Sequence, residues 1–217
     1  MTTMVCLANS WKGGGNNRCI AGIDMETGRW LRPCFGSGEE GIPWQARQIE
    51  GREPALLDLL EMPLADDGPH REYQPENRQL LPGSWRKVGT ATLTDVLQYC
   101  EEGGFLLGNF DRRVPAEEAL KLPQSERKSL CLLQTRVHFT TGSKVSRRTG
   151  IAYEAVFAAF QYGAHHYQEL DVTDADFAQR FPTCPAADVD CVLTVSRGSP
   201  YGGYCYKLVA GVIPLLR

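Results

Sequence analysis

The order of local patterns from residue 129 onward restricts the possible folds more than any other feature of this chain. Leu130 to Thr141 alternates, with Leu133, Thr135, Val137 and Phe139 on one face and Gln134, Arg136, His138 and Thr140 on the other. That is the period of a half-buried strand. Ile151 to Tyr162 reads as a second long strand, Gly163-Ala164 as a turn, and His165 to Val172 as a third strand. Thr173-Asp174-Ala175-Asp176 has the spacing of a capping box and opens a short helix ending at Phe181. Val189 to Ser196 and Tyr204 to Ile213 complete the set, joined by RGSPYGG. Three strands, one helix and two strands is the order of an OB-fold, a five-stranded Greek-key barrel. A generic β-sandwich has no reason for that single, well-capped helix.

The first half is less regular. Val5 to Ser10, Arg18 to Asp24 and Arg29 to Cys34 are β-like segments divided by the tip KGGGNN and the turn Glu26-Thr27-Gly28, the spacing of antiparallel hairpins. Gly36 to Gly41 is loop, and Ala55 to Leu64 is apolar enough for a buried strand or a short helix, with strand preferred. Gly68 to Gly83 reads as an ordered loop or edge segment. Thr92 to Glu102 reads as a helix capped by Thr92 and Asp95, and Pro115 followed by AEEAL as another short one. Pro123 to Lys128 looks like the join between halves. The expected fold is mainly β with a few short helices: two OB-like Greek-key barrels in tandem, residues 1–126 with a helical insertion and residues 127–217. The first half fits the OB order only by forcing, because its helix comes late.

Charge and cysteine usage narrow the functional classes. The net charge is −3 over 217 residues, so the whole chain is not a basic nucleic-acid binder. Its cations are unevenly placed, however. Between Glu126 and Glu154 there is no carboxylate, while Arg127, Lys128, Arg136, Lys144, Arg147 and Arg148 fall in that window, the pattern of a local positive field or of a solvated, charged strand edge. The eight cysteines include no C-x-x-C pair, and most lie in apolar runs. With no signal-peptide pattern and no run of about 18 apolar residues, reduced thiols, a cytoplasmic location and no membrane contact are expected. The spacing also argues against structural zinc.

Several motifs are collectively more specific. NSWKGGGNNRCIAGID, GRWLRP, the YQPENR stretch, LGNFDRRVP and the terminal GYCYKLVAGVI, with matches running from Cys6 to Ile213, resemble the dual OB-containing domain of prokaryotic conflict systems. The resemblance implies a role in defence against invading genetic elements through sensing or binding nucleic acid. It singles out Arg18, Cys19, Trp30, Arg32, Asn77, Asp111, Arg112, Tyr204, Tyr206 and Lys207 as the residues matching those motifs. The KGGGNN tip is longer than the family's usual glycine turn, which leaves that loop without an assigned role.

OB-folds take oligonucleotides on the face of strands two and three and through the loops joining strands one to two and four to five. In the second half those loops are GSKVSRR and RGSPYGGY. The first offers Lys144, Arg147 and Arg148 to phosphates; the second offers Arg197, Tyr201 and Tyr204 for phosphate contact and base stacking. Arg136 and His138, on the polar side of their strand, extend the candidate surface. Tyr204 and Tyr206 share a strand face, with Lys207 opposite, and serve either as a stacking platform or as half-buried packing residues. Arg18, Trp30 and Arg32 are the equivalent candidates in the first half. Asn77, Asn109, Asp111 and Arg112 form a possible polar site with no identifiable base or nucleophile. His165 and His166 face opposite sides of a strand and cannot share a metal, and no P-loop, H-E-x-x-H or G-x-S-x-G is present. No catalytic residue, metal or cofactor is expected. The favoured function is a module that binds or senses nucleic acid, single-stranded by preference, and reports to a partner protein. A small nucleotide-ligand receptor and an enzyme acting on nucleotides are the alternatives.

Overall fold

The computed structural model describes residues 1–12, 15–146, 149–181 and 186–215. Strands β1 (Thr2–Trp11), β2 (Arg18–Asp24), β3 (Trp30–Cys34), β4 (Asp58–Met62), β5 (Asn77–Gln79) and β6 (Arg86–Thr90) form one sheet in the order β5-β3-β2-β1-β4-β6. Strands β7 (Arg113–Pro115), β8 (Leu130–Val145), β9 (Ala152–Tyr162), β10 (His165–Val172), β11 (Ala186–Arg197) and β12 (Tyr204–Pro214) form the other, ordered β10-β9-β8-β11-β12-β7 with β10 also pairing β12.

The second sheet closes on itself. β10 runs parallel to β12 through Asp171↔Leu208 and Val172↔Val209, so the circuit β8-β9-β10-β12-β11-β8 returns to its start. Helix α4 (Ala175–Arg180) lies between its third and fourth strands, the order expected of an OB barrel. The cap differs by one residue from the expected box. Thr173 stays in the ladder, giving both its N–H and its Oγ1 to the Val209 carbonyl. Asp174 therefore caps α4, accepting from the Asp176 and Phe177 amides and, with its other oxygen, from Val212 N at 2.8 Å. Phe177 and Phe181 close that end of the barrel against Phe139, with ring centroids 4.7 and 5.5 Å away.

The first half closes in the same way, without forcing. β5 pairs parallel with β3 through Arg32↔Asn77. Beyond the ends of β4 and β5, Leu64 bridges Leu80 and Leu81 N donates to the Pro63 carbonyl at 3.0 Å. The circuit β1-β2-β3-β5-β4-β1 is complete, and the helix between strands three and four is the single turn α1 (Trp44–Arg47). Four residues are too few to leave a visible helical period, and the first helix legible in the sequence is the later α2 (Leu93–Leu97). Thr92 and Asp95 cap α2 reciprocally, as expected. Helix α3 (Ala116–Ala119) follows β7, which precedes residue 126 yet adds to the second sheet.

Each barrel has its own core: Met4, Cys6, Ile20, Leu60 and Met62 in the first, Val137, Phe160, Tyr167, Leu193 and Val209 in the second. Seven cysteines are free thiols, five of them buried; Cys184 lies outside the described residues. Burial pushes Cys131 and Cys191 up to about 12 and Cys34 and Cys100 up to about 11, so these thiols behave as small apolar groups. Among the described residues no helix is long and apolar enough to cross a membrane.

Candidate nucleic-acid interface

The two barrels pack through a seam that consumes one particular face of the first. Alternation along β1 sends Met4 and Cys6 into the first barrel and Val5 and Leu7 out of it. The same alternation turns Ala21 and Ile23 of β2 and Trp30 of β3 outward. These side chains meet Leu130 and Leu132 of β8, Val192 of β11 and Ala210 of β12. Leu7 is skipped in the pairing of β1 with β2, a bulge between Cys6 and Ala8 that re-aims its backbone. Its carbonyl accepts from Thr194 Oγ1 of the second barrel at 2.6 Å. Gly211 sits against the same oxygen, where a Cβ would come within 2.1 Å. The outer face of strands one to three of the first barrel is thus covered.

A buried polar network continues the seam. Arg32 points out of β3 and donates to Ser129 Oγ at 3.0 Å, Ser196 Oγ at 3.1 Å and Asn77 Oδ1 at 3.3 Å. Glu76 accepts from the Ser129 amide at 2.6 Å and its hydroxyl at 2.7 Å. Gln74 Nε2 reaches the Arg197 carbonyl at 3.1 Å, and the Arg197 guanidinium reaches the carbonyls of Leu107 and Tyr73. The YQPENR motif is therefore a clamp between barrels. Sequence reasoning missed Glu76 and Gln74; the one signal was an acid held beside a proline inside a family motif. It also missed Arg47, 1% exposed, whose guanidinium joins Glu53 and the Ile42 and Asn16 carbonyls beneath the glycine tip.

The candidate residues divide accordingly. Arg32, Arg197 and Lys207, candidates for the nucleic-acid surface, are 6%, 4% and 3% exposed and held inside by protein partners, and Arg197, expected to contact phosphate, spends its guanidinium on the Leu107 and Tyr73 carbonyls. Trp30 is half-buried in the seam. Arg18 lies half-buried beside Trp11, bonded to the Asn16 and Asn17 carbonyls. Asn77 belongs to the seam, whereas Asn109, Asp111 and Arg112 lie at the start of β12, so the four do not make one polar site. There Lys207 Nζ donates to Asn109 O at 2.5 Å and Oδ1 at 2.7 Å, close over the Tyr167 ring. Burial brings that amine down to about 7.

The two loops expected to cooperate are also separated. Leu130, at the start of β8, pairs with Ser196 beside the β11–β12 loop, while Val145, at its end, pairs with Ala152. The aromatic and basic loops thus lie at opposite ends of a sixteen-residue strand. Gly142 to Val145 continues β8 and is not a connection; Arg147 and Arg148 lie outside the described residues. The acid-free window is not acid-free in space either. Lys144 binds both oxygens of Asp171 at 2.7 Å, Arg136 faces Asp188 and Asp190 at 3.7 and 3.8 Å, His138 Nδ1 meets Asp188 at 2.8 Å, and Lys128 pairs with Glu101.

What stays open is the outer face of strands two and three of the second barrel. Gln161 of β9 and His166 and Gln168 of β10 are exposed, with Phe157 and Ala159 partly so. Phe157 lies on Gly142, where a Cβ would come within 3.0 Å of the ring, and Lys144 Nζ stands 5.7 Å from its centroid. At the β9–β10 turn His165 stacks with Phe105 and Phe110, at 4.8 and 5.9 Å. Beyond it Arg112 faces Glu169, and Arg113 covers the Tyr204 ring at 4.1 Å, next to exposed Tyr201. Tyr206 is half-buried. Exposed ion pairs are each worth roughly 0–1 kcal/mol, so a phosphate can replace Asp188 or Asp171 at little cost.

The family model of the dual OB-containing domain matches residues 2–212. The chain belongs to that family. No curated protein and no solved structure gives a significant match. Two barrels of OB order in one chain are what the family's name describes.

Proposed function

We propose that this dual OB-containing domain binds unpaired nucleic acid on the outer face of β9 and β10, as a sensor within a prokaryotic defence system that reports to a partner effector protein in the cytoplasm. OB domains generally use the face of strands two and three. One observation carries the assignment to the second barrel: the first barrel's equivalent face is covered by its neighbour, and the second barrel's is open. Phe157 supplies a stacking surface, Lys144 and Arg136 supply cations already held by weak surface pairs, and His138 adds a ring nitrogen that meets Asp188.

The test is fluorescence anisotropy with labelled single-stranded DNA, single-stranded RNA, duplexes and mononucleotides at two salt concentrations. Single strands should bind best, and affinity should fall with salt because each neutralised phosphate releases counterions. Phe157→Ala should weaken binding with little change in salt slope. Absence of saturable binding to any polynucleotide would overturn the proposal, and tight, salt-insensitive binding of a mononucleotide would replace it with a small-ligand receptor.

A further inference from the structure

We infer that Phe105, Phe110 and His165 form a second stacking site, one that receives an unpaired base leaving the β9–β10 face at its turn. This rests on the nucleic-acid reading above and adds a location that the fold alone does not indicate, because Phe105 and Phe110 precede the first strand of the second barrel. Phe105 is 54% exposed and Phe110 57%. Phenylalanine rings recruited for packing are most often fully buried. These two stay more than half exposed, each lying against the His165 imidazole, although the segment between them is firmly anchored.

The anchoring is explicit. Leu106 and Leu107 are 0% and 2% exposed, inserted into the second barrel's core. Tyr167 Oη accepts from the Leu106 amide at 2.8 Å and donates to the Asn109 carbonyl at 3.1 Å. Lys207 Nζ holds Asn109 from the other side at 2.5 and 2.7 Å. Leu107 is kept at a φ of 51°, a left-handed conformation that branched and bulky residues adopt only when their surroundings enforce it. The turn at Gly163 packs 3.4 Å from Gly103, measured from where a Cβ would stand. Both phenylalanines therefore flank a fixed segment, and His165 is the first residue of β10. A rigid display of exposed rings lowers the ordering cost of binding.

The occupant follows from geometry and charge. The imidazole lies at 29° to Phe105 and 17° to Phe110, with the two phenyl planes 44° apart, so a flat heterocycle stacks on the exposed side of one ring at a time. The Arg112 and Arg113 guanidiniums follow within three residues of Phe110, one on exposed Glu169 and one on the Tyr204 ring, a combination that suits a base joined to a phosphate. Bases inside a duplex have no free face to offer.

The experiment compares wild type with Phe105→Ala/Phe110→Ala and with Phe105→Leu/Phe110→Leu, using a 15-nucleotide single strand carrying 2-aminopurine. The alanine double variant should bind at least about tenfold more weakly with an unchanged salt slope, since one lost stacked base accounts for that much. The leucine variant keeps apolar bulk but loses the π-face, so it too should bind weakly and fail to quench 2-aminopurine. Full affinity and full quenching in the alanine variant overturn the stacking site while leaving the β9–β10 reading intact. Leucine restoring full affinity also overturns it, indicating an apolar protein-docking patch. Failure of wild type to bind any strand overturns both. Should the variants not fold, photo-crosslinking of 5-iodouridine strands to wild type decides: adducts at Phe105, Phe110 or His165 support the site, and adducts confined elsewhere reject it.

Discussion

The two barrels have the same strand circuit, yet their strand-two and strand-three faces have opposite fates. In the first barrel that face carries Ala21, Ile23, Trp30 and Arg32 against the second barrel. In the second it carries Gln161, His166 and Gln168 in solvent. The difference lies in which surface each barrel offers its neighbour. The first contributes strands one to three, and the second contributes the walls of β8, β11 and β12, leaving β9 and β10 free. Two barrels of one order thus do not present two open faces; the first spends its own on mounting its neighbour.

The strongest way to break this arrangement is to crowd the seam. Gly211→Ala places a Cβ about where the Leu7 carbonyl oxygen already stands, 2.1 Å away, and neither backbone can yield without moving a barrel. Over-packing of this kind costs roughly 3 kcal/mol or more, at or beyond the upper end of the usual range. Urea unfolding should show a large fall in midpoint. A wild-type midpoint would mean that the barrels dock without the Leu7 contact.

The polar clamp should come next. Glu76→Ala strips the Ser129 amide and hydroxyl of their acceptor inside the seam, which costs roughly 2–3 kcal/mol for buried donors left unpaired by a lost charge. Because the clamp lies in the seam, Glu76→Ala should leave the salt slope of nucleic-acid binding unchanged in the folded fraction. A changed slope would move the interface toward the seam.

These two contacts also show what sequence reasoning could and could not see. Strand order in the second half was legible because its strands are long and alternating and their turns are marked. The first barrel was obscured: its helix is one turn, and its closure depends on a bridge at Leu64 and Leu80 rather than on a full strand. Residue type marks a candidate cation, and burial is not written in residue type. Arg32 alternates on its strand like any surface arginine, and only the neighbouring barrel makes it internal. The window from 127 to 153 reads as basic because its partners lie outside it, Glu101 before and Asp171, Asp188 and Asp190 after. Phe105 and Phe110 show no pairing in the sequence, because the fold alone sets both rings beside His165.

Lys207 gives a smaller, pH-dependent contrast between the barrels. Burial lowers its amine from an ordinary 10.5 to about 7, so between those values the unfolded chain binds the extra proton. Stability from this group therefore rises with pH from about 7 to 10.5 and is flat outside that window. The buried thiols work against it above pH 9, since their raised values favour the folded state only while the unfolded thiols remain protonated. Subtraction isolates the lysine: Lys207→Met should remove the rising component, seen as the difference between two pH–stability curves. Parallel curves would mean that the amine keeps an ordinary value.

The smallest effect on stability should carry the most information about the open face. Lys144 and Arg136 meet their carboxylates at the surface, with side chains 36% and 58% exposed, and such pairs contribute roughly 0–1 kcal/mol. Lys144→Ala and Arg136→Ala should therefore melt within a few degrees of wild type. If either cation exchanges its carboxylate for a phosphate on binding, the slope of log affinity against log salt should fall by about 0.7 per contact on a single strand. Arg32→Met gives the opposite pattern, because among the described residues its guanidinium bonds to Asn77, Ser129 and Ser196 in the seam: stability falls and the slope does not. Measuring both quantities on all three variants separates a cation that holds the mount together from one that meets the ligand. A slope change at Arg32 with none at Lys144 or Arg136 would reverse the roles assigned to the two barrels.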